Sequence, residues 1–374
     1  MTSEPFRTQL AALESRGRLR RLVPRSGRDF ASNDYLGLAG DPIIGQAVAD
    51  AVARGVPVGS GGSRLLRGNA PEHEGLEVKA AAFFRTQAAL FVANGFLANL
   101  ALFAALPQRG DLIVADELIH ASAHDGLKLS KAATVFARHN DVQSFADLIA
   151  GWRAEGGKGR VWIAVETLYS MDGDIAPLAD LAKLAARHDA MLLLDEAHGT
   201  GIYGHGGRGL STGLDGLHNV ITLHTCGKAL GAEGALVCGP RVHIDYLVNR
   251  ARPFIFSTAP SPLMAVAVSA ALDRIEQADD LRERLATLRR DAAEALCGPL
   301  GLPAPKSQIV PVVLGDDART MAAAAALQEA GFDVRGIRPP TVPAGTSRLR
   351  ISLTLNVGRA DVLALGEALR RVLA

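Results

Sequence analysis

The chain has 374 residues, 48% of them hydrophobic, which is material for one large domain with a smaller companion. Its 40 Lys and Arg against 39 Asp and Glu leave a net charge of +1, and aromatics are 5%; a nucleic-acid scaffold, an acidic solvating tail and a base-stacking surface are all disfavoured. Three cysteines, Cys226, Cys238 and Cys297, with no CxxC pair argue for a reducing, cytoplasmic setting, while the chain has neither an apolar run of about 18 residues nor a signal-like start.

Along the chain, Arg7, Arg16, Arg18, Arg20 and Arg21 surround Leu10, Leu13, Leu19 and Leu22, which predicts an amphipathic helix within 1–25 ended by Pro24. Pro42 opens a second helix over 41–52. The stretch 58–64 is too glycine-rich for a regular element and reads as a loop. A strand over 89–93 then leads into a helix over 96–105. Buried strands are predicted at 161–165, 191–194 and 220–223, with a helix at 178–187 between two of them. Such alternation indicates an α/β layer with a mostly parallel sheet. From about Pro260 the pattern changes. Leu281, Leu285 and Leu288 share one helical face, and strands at 309–314 and 348–353 accompany helices at 320–330 and 360–372. The predicted organisation is an N-terminal helix and segment over 1–40, a large α/β domain over 41–261 and a small α+β domain over 262–374.

Two phosphate-binding motifs can be set aside. Gly204-His-Gly206-Gly-Arg-Gly209 matches a dinucleotide fingerprint in spelling, but it does not follow its strand directly and opens no helix. Gly227-Lys228 lacks the earlier glycine of a P-loop, since Thr222 stands there. Asp195 and His198 have a spacing that could suit a metal, yet no further ligand cluster follows them, and no metal is expected.

Another chemistry accounts for the same residues. The strand at 191–194 ends in Asp195, with His198 in the glycine-rich turn after it, and ligands of parallel sheets bind beyond such carboxyl ends. The strand at 220–223 runs on to Thr225 and Lys228. An aspartate and a lysine on strand ends are what a pyridoxal phosphate enzyme needs: the lysine forms a Schiff base, and the aspartate keeps the pyridine nitrogen protonated. A surface lysine is the bland alternative.

The motifs extend this reading. They are Ser32-Asn-Asp-Tyr-Leu-Gly-Leu38, Gly59-Ser-Gly-Gly-Ser63, Asn94-Gly-Phe-Leu-Ala-Asn99, His120-Ala-Ser122, Tyr169-Ser-Met-Asp-Gly-Asp174, Asp195-Glu-Ala-His-Gly-Thr-Gly201, Thr225-Cys-Gly-Lys228 and Ile337-Arg-Pro-Pro-Thr-Val-Pro-Ala-Gly-Thr346 with Arg348-Leu-Arg350. In these the chain resembles the α-oxoamine synthases, fold type I pyridoxal phosphate enzymes, from about Leu13 to Leu373. The last motif is similar to the members that join L-alanine to a pimeloyl thioester, of CoA or of acyl-carrier protein, in biotin biosynthesis.

The resemblance implies roles at individual positions. Lys228 would carry the cofactor, Asp195 would pair with its pyridinium nitrogen and His198 would bond its phenolic oxygen. His120 would stack on the ring and contact substrate; a satisfied loop histidine is the alternative. Gly95, Phe96 and Thr225 would receive the phosphate, and Ser170 would bind near the ring. Ser257 and Thr258 would reach the phosphate of a neighbouring subunit, making a homodimer with shared sites; a plain turn before Pro260 is the alternative. Arg350 would clamp the amino-acid carboxylate, with Thr341 and Arg20 touching substrate, although a solvated basic face also accounts for Arg20. Asn94 and Cys226 stand where relatives vary, and the run Arg64-Leu-Leu-Arg-Gly-Asn69 departs from the family, leaving acyl-chain recognition open. Sister synthases using glycine or serine share these cofactor motifs. A non-catalytic partner subunit on this scaffold is expected to lack the lysine, which is present here.

Overall fold

In the computed structural model, which describes residues 3–374, the chain divides into two compact units. One is Asn33–Ala286; the other joins the chain up to Ser32 with Thr287–Ala374.

The first unit is built on seven strands: β1 (Ala88–Val92), β2 (Leu112–Asp116), β3 (Ala133–Ala137), β4 (Val161–Glu166), β5 (Met191–Asp195), β6 (Val220–Thr225) and β7 (Ala235–Gly239). Their order across the sheet is β1-β7-β6-β5-β4-β2-β3. Neighbours are parallel except at β7, which runs antiparallel to both β1 and β6. The middle strands read as unbroken apolar runs because both faces are covered. Successive side chains alternate between those faces: Ile113, Trp162, Leu193 and Ile221 enter one core, and Leu112, Ile163, Leu192 and Val220 the other. Helices Gly95–Ala105, Ala121–Leu129 and Arg241–Arg250 supply the first core, and Val142–Ala154 and Leu178–His188 the second. Leu178–His188 shows why such a helix forms: Leu181, Leu184 and Ala185 make one buried face, and Asp189 at φ 47° stops it. Because β2 to β6 are parallel, their carboxyl ends lie along one edge of the sheet, and the polar residues Asp116, Glu166, Asp195 and Thr225 end their strands there.

The second unit holds an antiparallel sheet of β8 (Ile309–Gly315), β9 (Arg335–Ile337) and β10 (Ser347–Ser352), in the order β9-β10-β8. Helices Asp317–Glu329 and Arg359–Leu373 belong to it. Arg28–Asp29 pairs in parallel with Phe332–Asp333, and Phe30 is fully buried with its backbone oxygen accepting from the Ser352 amide.

Two expectations change. The first helix spans Glu4–Ser15 and does not run to Pro24; Gly17, at φ 64°, closes it, with Gly17 N–H bonded to Glu14 O and Arg18 N–H to Leu13 O. The compact units divide at 286/287 where 261/262 was expected, because helix Pro262–Glu276 packs on helices Pro42–Ala53 and Pro71–Phe83. The segment before Ser32 is held by a strand pairing far along the chain, which local sequence does not announce. Strands β2, β3, β7 and β9 are absent from the sequence reading. Among the described residues no helix is long and apolar enough to cross a membrane.

Candidate active site

The carboxyl ends of β5 and β6 bring the principal expected residues together. Asp195 ends β5 and is 9% exposed. Its Oδ1 accepts from the Ala197 amide at 2.9 Å and its Oδ2 from Asn99 Nδ2 at 2.9 Å. Asn99 Nδ2 also donates to Ser122 Oγ, likewise at 2.9 Å. Ser122 Oγ lies 2.7 Å from His120 Nδ1, which also accepts from the Ser122 amide at 3.2 Å. An accepting Nδ1 requires that Ser122 O–H donate to it and that the ring carry its proton on Nε2. A directed chain therefore runs from Asp195 through Asn99 and Ser122 to His120. Desolvation holds the His120 pKa below its usual value, with Asp195 opposing and Lys228 reinforcing that shift, so the imidazole is neutral.

Glu166 pairs in register with Asp195 and is buried. Burial, then the Asp195 charge, pushes its carboxyl pKa well above the ordinary range. Its Oε2 accepts from the Ser170 amide at 3.1 Å. His198, in the turn after β5, is 5% exposed, with Nδ1 2.7 Å from the Tyr35 hydroxyl. That hydroxyl donates to Asn33 Oδ1 at 2.9 Å, so its oxygen is left to accept from the imidazole.

On β6, Thr225 Oγ1 accepts from Lys228 Nζ at 3.3 Å. Lys228 is half-buried and sits in a tight loop closed by Gly231 N–H to Lys228 O and Ala232 N–H to Cys226 O. The start of helix Gly95–Ala105 comes up against Thr225: a Cβ on Gly95 would lie 2.5 Å from Thr225 Cγ2. Asn94 caps this helix by accepting from the Leu97 amide at 2.9 Å. The Gly95 and Phe96 amides have no partner within the helix, as at any α-helix start.

The class I and II aminotransferase model matches residues 27–365. An 8-amino-7-oxononanoate synthase of Anaeromyxobacter dehalogenans is 44% identical over 98% of this chain and 94% of its own length. The chain belongs to the class I and II aminotransferase family, among its 8-amino-7-oxononanoate synthases. A solved 8-amino-7-oxononanoate synthase of Francisella tularensis superposes with a TM-score of 0.78 at 29% identity, over 93% of this chain and 98% of that one. A serine palmitoyltransferase variant from S. paucimobilis, solved with a bound PLP–myriocin aldimine, superposes at 0.89 and 26% identity over 99% and 97%.

The remaining expected residues of this synthase chain are Ser257, Thr258, Arg350, Thr341 and Arg20. Ser257 is half-buried and Thr258 exposed in the turn after helix Arg252–Ile255, lining a small crevice with Ala93 and Leu97. In the second unit, Arg350 on β10 is 7% exposed and donates from Nη1 to Ser352 Oγ at 2.8 Å. Thr341 is exposed in a bend and Arg20 exposed in irregular chain outside the first helix, so the basic helical face offered for Arg20 does not exist. Sequence reasoning assigned nothing to Asn99, Ser122, Tyr35 or Glu166. The first three stand inside the recognised motifs, and their contacts span 23 to 163 residues of chain.

Proposed function

We propose that this chain condenses L-alanine with a pimeloyl thioester, releasing carbon dioxide and the thiol to give 8-amino-7-oxononanoate, with pyridoxal phosphate held at the ends of β5 and β6. The observation that carries this reading is the placement of Lys228 against Thr225, one strand from the buried carboxylate of Asp195. The residues present suit the cofactor. The close approach of Gly95 to Thr225, which a side chain would block, sets unpaired backbone donors beside the Thr225 hydroxyl, a setting for a phosphate. Asp195 is a buried anion braced by two donors, a setting for a protonated ring nitrogen. When bound, the cofactor supplies an electron sink for the electrons released at the α-carbon of alanine.

The protein's own part is to bind, orient and move protons. Lys228 would hold the cofactor, and its amine would take the α-proton of alanine. His120, oriented through Ser122 and Asn99, would stack on the cofactor ring and contact substrate. His198, backed by Tyr35, would hold the cofactor's phenolic oxygen, and Ser170 would bind near the ring. Arg350 takes the alanine carboxylate as a charge-assisted pair, and Thr341 and Arg20 are the further substrate contacts. Ser257 and Thr258 reach the phosphate of a partner subunit in a homodimer. The three cysteines form no disulfide, and their burial suits a reducing cytoplasm.

The higher TM-score with serine palmitoyltransferase favours a second reading, serine with a long acyl thioester, over the same site. A panel of alanine, serine and glycine against pimeloyl-CoA, pimeloyl-carrier protein and palmitoyl-CoA separates them. Alanine with a pimeloyl donor should be turned over fastest, and Lys228→Ala should abolish turnover with the fold intact. Faster turnover of serine with palmitoyl-CoA, or near-normal turnover by the lysine variant, would overturn the reading.

A further inference from the structure

The catalytic description leaves a partly buried ionic cluster unused, at the carboxyl ends of the next strands. His139 follows β3, with Nδ1 2.9 Å from Asp116 Oδ1 and Nε2 2.8 Å from Asp174 Oδ2. Asp116 ends β2 and is fully buried, while Asp174 closes the turn that follows β4. A carboxylate only accepts, so a ring bonded at both nitrogens to carboxylates donates from both and is an imidazolium.

The cluster is over-determined. Asn140, at φ 55°, donates its amide to Asp116 Oδ2 at 2.8 Å and its Nδ2 to Asp174 Oδ2 at 2.7 Å. The His139 amide donates to Glu117 Oε1 at 2.9 Å, and the Tyr169 ring meets the imidazole edge-on at 4.4 Å. The turn it grips is short: Tyr169 N–H bonds Asp174 O and Gly173 N–H bonds Tyr169 O, both at 2.9 Å. Ser170 lies inside that turn, tied to Glu166 beside Asp195.

We propose that the Asp116–His139–Asp174 clamp is a positioning device: it pins the 169–174 turn to the ends of β2 and β3 and thereby sets Ser170 in the cofactor pocket. What Ser170 touches rests on the functional reading above; the clamp itself does not. The groups facing the ring are Asp116, Asp174 and Tyr169, with Glu117 on the His139 amide and Arg138 and Asp141 paired to each other next to it in the chain. Burial disfavours the charged ring, but the two carboxylates outweigh it and raise its pKa from 6.5 to about 10. A folded-state pKa above the unfolded one stabilises fully below pH 6.5, and that contribution is lost as pH rises toward about 10.

The test uses the full chain with His139→Gln, Asp174→Asn, Ser170→Ala and the double variant His139→Gln with Ser170→Ala. Thermal melts should place His139→Gln roughly 3–5 °C below wild type at pH 6.5, with the gap closing by pH 10. Asp174→Asn should show a smaller deficit with the same pH trend. Titration with pyridoxal phosphate should give each single variant of the double-mutant cycle about a tenfold higher Kd, and the double variant no further loss. A pH-independent gap overturns the charged clamp. Multiplying losses in the double variant overturn positioning and leave His139 merely structural. Absence of pyridoxal phosphate binding by wild type sinks the functional reading and the Ser170 link together, while the melts still decide the clamp.

Discussion

Asn99 is the residue on which the site's geometry turns. Its single amide nitrogen serves both the Asp195 carboxylate and the Ser122 hydroxyl, so it fixes the anion and, through Ser122, the tautomer of His120. Leucine at this position keeps most of the volume and removes both donors. Asp195 Oδ2 and Ser122 Oγ would then each lose a buried partner, at about 1–3 kcal/mol per group. We expect Asn99→Leu to lower Tm by several degrees and to weaken retention of pyridoxal phosphate, measured by dialysis and absorbance. Unchanged cofactor affinity would mean that Asp195 is oriented by the Ala197 amide alone. The motif containing Asn99 is plain in the sequence. The partner 96 residues away is not, because only the sheet order brings the helix after β1 beside the end of β5.

The decisive element is the helix Gly95–Ala105, whose first residue has no room for a side chain against β6. Helix propensity alone predicts that Gly95→Ala stabilises by up to about 1 kcal/mol. The structure predicts a different result, since the added methyl meets Thr225 Cγ2 at 2.5 Å and must push the helix start or the threonine aside. Those are the donors proposed for the phosphate. We expect cofactor affinity to fall about tenfold while Tm of the cofactor-free protein moves by under about 2 °C. Isothermal titration with pyridoxal phosphate checks the first and calorimetry the second. The edge strand β3 illustrates the opposite limit of sequence reading. Four of its five residues are exposed or half-buried, so it lacks the continuous apolar run that makes β5 conspicuous.

At the scale of the whole molecule, the proposed homodimer makes a prediction that no single chain can satisfy. If Ser257 and Thr258 complete the phosphate site of a partner, a Lys228→Ala chain and a Ser257→Ala, Thr258→Ala chain are each deficient as homodimers. Random pairing at equal amounts gives half heterodimers, each with one site whose lysine and partner hydroxyls are all intact. Activity should then recover to about a quarter of wild type after mixing and re-equilibration. No recovery, or normal cofactor binding by the hydroxyl variant alone, would confine the site to one chain. The exposure of Thr258 and half-burial of Ser257 leave both hydroxyls available for such a contact.

Local sequence was sufficient for the α/β alternation, the strand-end placement of Asp195 and Thr225, and the lysine that follows. Apolar runs, helix periodicity and glycine-rich turns are short-range signals, and the motifs carrying the chemistry are each under about a dozen residues long. Tertiary structure alone decided what those residues meet. Asp195 is braced by Asn99, Tyr35 backs His198, and Asp116, His139 and Asp174 converge from three strand ends. It also decided where the chain divides, since Pro262–Glu276 buries its apolar face against helices near residues 42 and 71, and Arg28–Asp29 pairs with Phe332–Asp333. The physical reason is common to all of these. A hydrogen bond or packed face between segments far apart in the chain depends on strand order and register, and neither is encoded in the local pattern of either segment.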